Sequence, residues 1–321
     1  MGIQLIHFSL KQAAHWGILK GQQIQLIDYT TASLKELLTN GQQAIQEARE
    51  KEAILAIEDV VLLSPVTNDA AIYCQGTNYS IHRVEAGFSQ QKPPYNLLFT
   101  KAASTLAPAD AAILCPPHVQ LLDYEIELGL IIAKSITEAT TIDDQHLEEY
   151  VAGLVIANDV SARDVQIVEQ QWFKGKSYRG FCPVGPYIYL LDKGDIDIIH
   201  HLSLQLEVNG EVRQQVLTEQ LLFKPTETLS EMSEIFDLHP GDLVLTGTPG
   251  GVGLRLDADI IQFVADNQLS YDEKKARFIA SQNADSYLKN GDVLTLTIKS
   301  TDGTVDLGRQ QNKIVQAVAV K

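Results

Sequence analysis

At 321 residues, with 45% hydrophobic and 21% charged residues and a formal net charge of −16, the chain has a globular composition with room for a substantial core. That acidity, with a pI near 4.8, argues against nucleic acid and anionic membrane surfaces as partners, and any anionic substrate needs a local positive patch. Cys74, Cys115 and Cys182 show no paired metal-ligand spacing, and no apolar run suits a membrane span or an export signal, so a reducing cytoplasm is expected.

In chain order, short alternating strands are expected around Ile3 to Phe8 and Ala14 to Ile27, then a helical pattern from Ser33 to Ile57, closed by Ser64-Pro65. Residues 1–66 thus read as a small N-terminal α/β module and 67–321 as the main domain. From Ala70 the texture is strand-rich, with Gly, Pro and Asn-Gly punctuation. Helices are expected at Asp143 to Val151, at Ser161 to Phe173 with a Ser cap and Asp164 three residues on, and at Thr226 to Asp237. Val208-Asn209-Gly210-Glu211 is a two-residue hairpin signal, because both turn residues tolerate positive φ. Turns at His239-Pro240-Gly241-Asp242 and Lys289-Asn290-Gly291-Asp292 each precede an apolar run, the second being Val293 to Ile298.

Asp123-Tyr124-Glu125-Ile126-Glu127-Leu128 is the most telling stretch, because it sets carboxylates in a run that otherwise reads as a core strand, Leu121-Leu122 to Ile132. Strand side chains alternate, so Glu125 and Glu127 share a face, and Asp159, after the apolar Val155-Ile156-Ala157, can join them. Unpaired buried carboxylates raise each other's pKa or expel the strand, and a hard divalent cation removes that penalty. All-oxygen ligation suits magnesium, manganese or calcium rather than zinc. The competing reading of the Glu pair alone is an edge strand with one wet face; Asp159 shifts the balance toward a metal. His82 and Glu85, three apart, share a face of one helical turn. Their spacing alone favours an amphipathic surface turn.

These stretches, followed by Ala157-Asn158-Asp159-Val160-Ser161-Ala162-Arg163-Asp164-Val165-Gln166, Lys176-Ser177-Tyr178-Arg179-Gly180-Phe181-Cys182-Pro183 and Gly241-Asp242 through Thr246-Gly247-Thr248-Pro249-Gly250-Gly251-Val252-Gly253, resemble the fumarylacetoacetate hydrolase family in its usual motif order. Gly76-Thr77-Asn78-Tyr79-Ser80-Ile81-His82-Arg83-Val84-Glu85 is similar to its lid motif, and the likeness runs over roughly residues 70 to 320, nearest the acylpyruvase and 2-hydroxyhepta-2,4-diene-1,7-dioate isomerase branch. The resemblance implies an α+β, β-rich fold, a mixed β-sandwich roll with the small N-terminal module, and a homodimer. It implies a divalent ion, usually magnesium, on Glu125, Glu127 and Asp159. It implies His82 and Glu85 as the water-activating lid pair, Lys176 as the active-site lysine, and Lys101, Gln166 and Thr248 as pocket residues.

Arg179 stands where many relatives carry Asp; facing the pocket it grips a second carboxylate, facing out it is plain surface. The segment at about 254–289 replaces a short connection and reads as helical at Asp259 to Ala265 and Lys274 to Ser281. The expected activity is magnesium-dependent hydrolysis of a carbon–carbon bond in a 2,4-dioxo acid of the acylpyruvate or fumarylpyruvate kind, through an enolate at the metal. The alternatives are decarboxylation or tautomerisation and isomerisation of oxaloacetate-like or 2-hydroxy-dienoic dicarboxylates, action on 2-oxo sugar acids, and a non-catalytic metal-binding protein.

Overall fold

The computed structural model describes residues 2–318, and the fold is mixed α+β and strand-rich. The chain opens with a meander, Ile3–Leu10, Ala13–Lys20 and Gln23–Leu26, whose first turn places Lys11 and Gln12 at φ of 50° and 70°. Two helices follow, Leu34–Asn40, capped by Ser33, and Gln42–Arg49. The helix expected to run to Ile57 ends at Arg49 because Leu55–Ala56 pairs with Gln23 and Ile24, so a sheet edge claims the apolar residues that periodicity assigned to helix.

Two more expected helices are shorter for local reasons. Between Asp143 and Val151 a single 3-10 turn forms at Leu147–Glu149: the Asp143 carboxylate caps the amides of Gln145 and His146, and Val151 already opens a buried strand. Ser161 to Phe173 divides into Arg163–Gln166 and Trp172–Lys176. Ser161 pairs with Asp123 across a two-residue ladder and donates its hydroxyl to the Asp159 carbonyl instead of capping a helix. The Asn209-Gly210 hairpin forms as expected, with φ of 54° and 83° and Val208 opposite Glu211. Helices occur at Pro225–Ser233 and, within the 254–289 segment, at Ala258–Ala265 and Tyr271–Ser281.

Among the described residues a thirteen-stranded sheet runs, in order, through Leu55–Ala56, Gln23–Leu26, Ala13–Lys20, Ile3–Leu10, Ile188–Leu190, Val151–Asn158, Ile126–Ile132, Leu243–Leu245, Ile72–Gly76 and Leu97–Lys101, with short branches. Ile3–Leu10 pairs with Ile188–Leu190, so the leading strands share the sheet of the rest of the chain. A five-stranded sheet, Glu211–Leu217, Leu202–Val208, Val293–Ser300, Asp306–Gln316 and Ile113–Cys115, packs across it. Between them Ile126, Leu128 and Leu130 meet a core that includes Leu204, Leu206, Leu294 and Leu296. On the other face Ile131, Val155 and Ala157 pack with Trp16, Leu34 and Leu37. Ile126–Ile132 is therefore buried on both sides, and Glu127 is its single charged residue.

Candidate active site

Strand register assembles the site. Ile126 lies opposite Asn158 and Glu127 opposite Ala157; past the ladder, the Asp159 amide donates to the Glu125 carbonyl at 2.9 Å, and the Glu125 amide to Asn158 Oδ1 at 3.0 Å. The pairing brings one carboxylate oxygen each of Glu125, Glu127 and Asp159 within 4.8 Å of one another, all buried.

Basic side chains answer most of this charge. Lys176 Nζ donates to Glu125 Oε2 and Asp159 Oδ2, both at 2.6 Å, and Lys101 Nζ donates to Asp159 Oδ1 at 2.5 Å. Arg163 donates to Asp123 Oδ2 at 2.8 Å and to Glu125 Oε1 at 2.5 Å. Four buried carboxylates, Asp123, Glu125, Glu127 and Asp159, thus face three buried cations, Lys101, Arg163 and Lys176. The excess falls on Glu127, whose Oε2 accepts from the Gly247 amide at 2.7 Å. Burial, then repulsion from Asp159 and Glu125, hold its pKa well above the usual carboxylate range. Burial also opposes charge on Glu125, but Lys176 and Arg163 outweigh it and hold that pKa below the range. Lys176 is likewise opposed by burial, and Asp159 and Glu125 raise it above an ordinary lysine.

This donor set fits a hard divalent cation: three converging carboxylates, one negative charge in excess, and no thiol or imidazole among them. Gly247 is needed here. Its φ is 93°, and a Cβ would lie 2.8 Å from Asn78 Cβ and 3.0 Å from the Gln75 carbonyl.

Beside the carboxylates lies a cavity of about 140 Å³, lined by Glu125, Glu127, Arg163, Lys176, Gln166, His82 and Thr248, with Phe99, Trp172, Leu254 and Leu256 among its apolar walls. His82 is carried by the short helix Ser80–Glu85. Its Nδ1 stands 3.5 Å from Glu85 Oε2, and neither atom has a hydrogen-bond partner. His82 therefore faces Glu125 and Glu127 across one cavity, with Glu85 beside it just beyond hydrogen-bond distance. Thr248 Oγ1 donates to the Ile126 carbonyl at 3.0 Å and accepts from Gln214 Nε2 at 2.9 Å, so its hydroxyl braces the loop. Gln166 accepts from Arg163 Nη1 at 2.9 Å.

Four of the expected site residues, Glu85, Asp159, Lys101 and Arg179, lie outside the cavity lining. Lys101 is buried behind Asp159 as its counter-charge. Arg179 is exposed on a turn and does not line the cavity; the structure places it at the surface, because the helix Trp172–Lys176 ends in a turn that carries it outward. The cation that sequence reasoning passed over is Arg163. A count of carboxylates in buried runs against nearby basic residues was the signal that could have found it. Lys174 pairs with Glu169 on the surface. In the 254–289 segment Phe263, Val264 and Phe278 pack with Leu121 and Val168, and Leu254 and Leu256 reach the cavity.

Among the described residues no helix is long and apolar enough to cross a membrane, and the three cysteines are buried and unpaired. Among curated proteins, the mitochondrial oxaloacetate tautomerase of Bos taurus is 34% identical over 266 residues, covering 78% of this chain and 82% of its own. The corresponding human protein is 35% identical over 228 residues, covering 69% and 70%. Among solved structures, a fumarylacetoacetate hydrolase from Exiguobacterium antarcticum superposes with a TM-score of 0.68 at 27% identity, covering 98% of this chain and 100% of its own. A 2-hydroxyhepta-2,4-diene-1,7-dioate isomerase from Mycobacterium marinum, at 22% identity, shares the fold with a TM-score of 0.69, covering 99% and 100%. Residues 71–315 match the family described as fumarylacetoacetate (FAA) hydrolase, C-terminal, and the chain belongs to that family of enzymes.

Proposed function

We propose that this protein is a divalent-metal-dependent tautomerase of a small 2-oxo dicarboxylate of the oxaloacetate kind, interconverting its keto and enol forms. The observation that carries the reading is the 34% identity to an oxaloacetate tautomerase across 82% of that protein's length. It displaces carbon–carbon bond hydrolysis, the activity the motifs first suggested, in favour of proton transfer on the same kind of substrate.

Tautomerisation replaces one C–H bond by one O–H bond, so it needs a base at carbon and an acid at oxygen. His82 supplies the first. With Nδ1–H turned to Glu85, Nε2 is free to take the C3 proton, and Glu85 stabilises the imidazolium that forms. Lys176 supplies the second, donating a proton to the C2 oxygen as negative charge develops there. Lys101, Arg163 and Lys176 offset all but one of the four buried carboxylate charges, so a bound divalent ion would leave the site with the local positive charge that an anionic substrate requires in so acidic a chain. A divalent ion on Glu125, Glu127 and Asp159, magnesium being the first choice for three hard oxygens, supplies Lewis-acid polarisation when bound.

The test offers the purified protein enol-oxaloacetate, acetylpyruvate and fumarylpyruvate, with magnesium and with a chelator, while following enol absorbance and identifying products. Magnesium-dependent loss of enol absorbance with oxaloacetate recovered intact supports the reading. Release of pyruvate and an acid from a dioxo acid, with oxaloacetate untouched, returns the assignment to hydrolysis. Formation of pyruvate and carbon dioxide makes it a decarboxylase.

A further inference from the structure

The first residues of the 254–289 segment do more than complete the cavity wall. Arg255 Nη1 donates to the carbonyls of Val252 and Leu254, each at 2.6 Å, and Nη2 stands 3.1 Å from Glu85 Oε1. One amide holds the Arg255 backbone on both sides: Gln282 Oε1 accepts from its N–H at 3.1 Å, and Gln282 Nε2 donates to its carbonyl at 2.9 Å. The Tyr287 hydroxyl donates to the same Oε1 at 2.7 Å. The next residue, Leu256, donates its N–H to the Glu85 carbonyl at 2.8 Å. Two consecutive residues of the segment thus grip Glu85, one by backbone and one by side chain.

The grip decides which oxygen His82 meets. Glu85 Oε1 accepts from the Gly251 amide at 2.9 Å and pairs with Arg255, while Oε2 is left toward His82 Nδ1. A carboxylate anchored through one oxygen presents the other in a fixed direction. The guanidinium also draws down the negative potential that Glu85 would otherwise direct at the imidazole.

We propose that Arg255 is a positioning residue that acts through Glu85, so that the segment 254–289 sets the basicity of His82 by holding and partly neutralising its partner. The inference rests on the reading of His82 as the base. The charged groups facing His82 are Glu85 on its own helix and, across the cavity, Glu125, Glu127, Arg163 and Lys176, with Arg255 reaching it through Glu85. Arg83, its neighbour in sequence, is turned to the Ser89 carbonyl and Thr77.

The test compares magnesium-loaded wild type with Arg255→Gln and Arg255→Lys. The His82 imidazole is titrated by NMR, its signal assigned by its loss in His82→Asn, and the pH profile of kcat is recorded in the tautomerase assay. Gly251 still holds Glu85 in Arg255→Gln, so charge is removed without releasing the carboxylate. The His82 pKa is expected to rise by about half a unit, because the Arg255 side chain is 58% exposed and its field is screened. The acid limb of the kcat profile moves up with it, while KM holds. Arg255→Lys, which keeps the charge, returns both close to wild type. An unmoved or lowered His82 pKa in Arg255→Gln overturns the proposal, as does an equal shift in Arg255→Lys. If the wild type turns over no oxaloacetate-type acid, the tautomerase reading fails, and the NMR titration alone still decides the role of Arg255.

Discussion

Replacing Glu127 with glutamine keeps the shape of the side chain and removes the carboxylate whose charge is least compensated. In the metal-free protein Glu127 is 1% exposed, and burial with repulsion from Asp159 and Glu125 raises its pKa above the ordinary 4.5. An acid whose folded pKa exceeds its unfolded one holds its proton more tightly when folded. The stability it lends is full below the unfolded pKa and is lost as pH rises through the folded one, each unit of difference being worth about 1.4 kcal/mol. Metal-free Glu127→Gln should therefore melt at or above the metal-free wild type at about pH 8, and the advantage should shrink toward about pH 5. Metal reverses the order. An ion present at 100 times its Kd stabilises the wild type by about 2.7 kcal/mol, or about 4 °C in Tm for a chain of 321 residues. The variant, with two carboxylates left of three, should gain less than about 2 °C. Thermal melts in chelator and in excess magnesium at the two pH values make the comparison. An equal magnesium-dependent rise in wild type and Glu127→Gln would refute the assignment of Glu127 as a ligand.

Four further outcomes are expected. His82→Asn should lower kcat by about 10²–10⁴-fold in the enol assay while leaving the circular dichroism spectrum unchanged; retention of full activity would remove His82 from the chemistry. Arg163→Met should cost about 3–5 kcal/mol in urea unfolding, because it leaves Asp123 and Glu125 buried without their shared cation, and a loss under about 1 kcal/mol would contradict that pairing. Gly247→Ala should destabilise by about 1–3 kcal/mol and weaken magnesium binding by calorimetry, since it strains a φ of 93° and disturbs the donor to Glu127. Arg179→Ala should leave KM within about twofold, as for an exposed side chain away from the cavity; a rise beyond about tenfold would show that it reaches substrate.

Features that depend on neighbours along the chain were legible in the residues themselves. The i, i+2 spacing of Glu125 and Glu127 in an apolar run, the Asn209-Gly210 turn and the two amphipathic helices after Gly253 follow from side-chain alternation, positive φ and helical periodicity. Residues whose meaning comes from distant partners took their roles from the folded arrangement. Leu55 left its helical pattern for the open edge of Gln23–Leu26, and Ser161 left a capping role for a ladder with Asp123. Arg163 and Arg179 both lie close to the site in sequence, yet one is the buried counter-charge of two carboxylates and the other is surface. Which cation goes inside is an electrostatic question posed by all the buried carboxylates together, and it has an answer only when strands from separate parts of the chain have brought those carboxylates side by side.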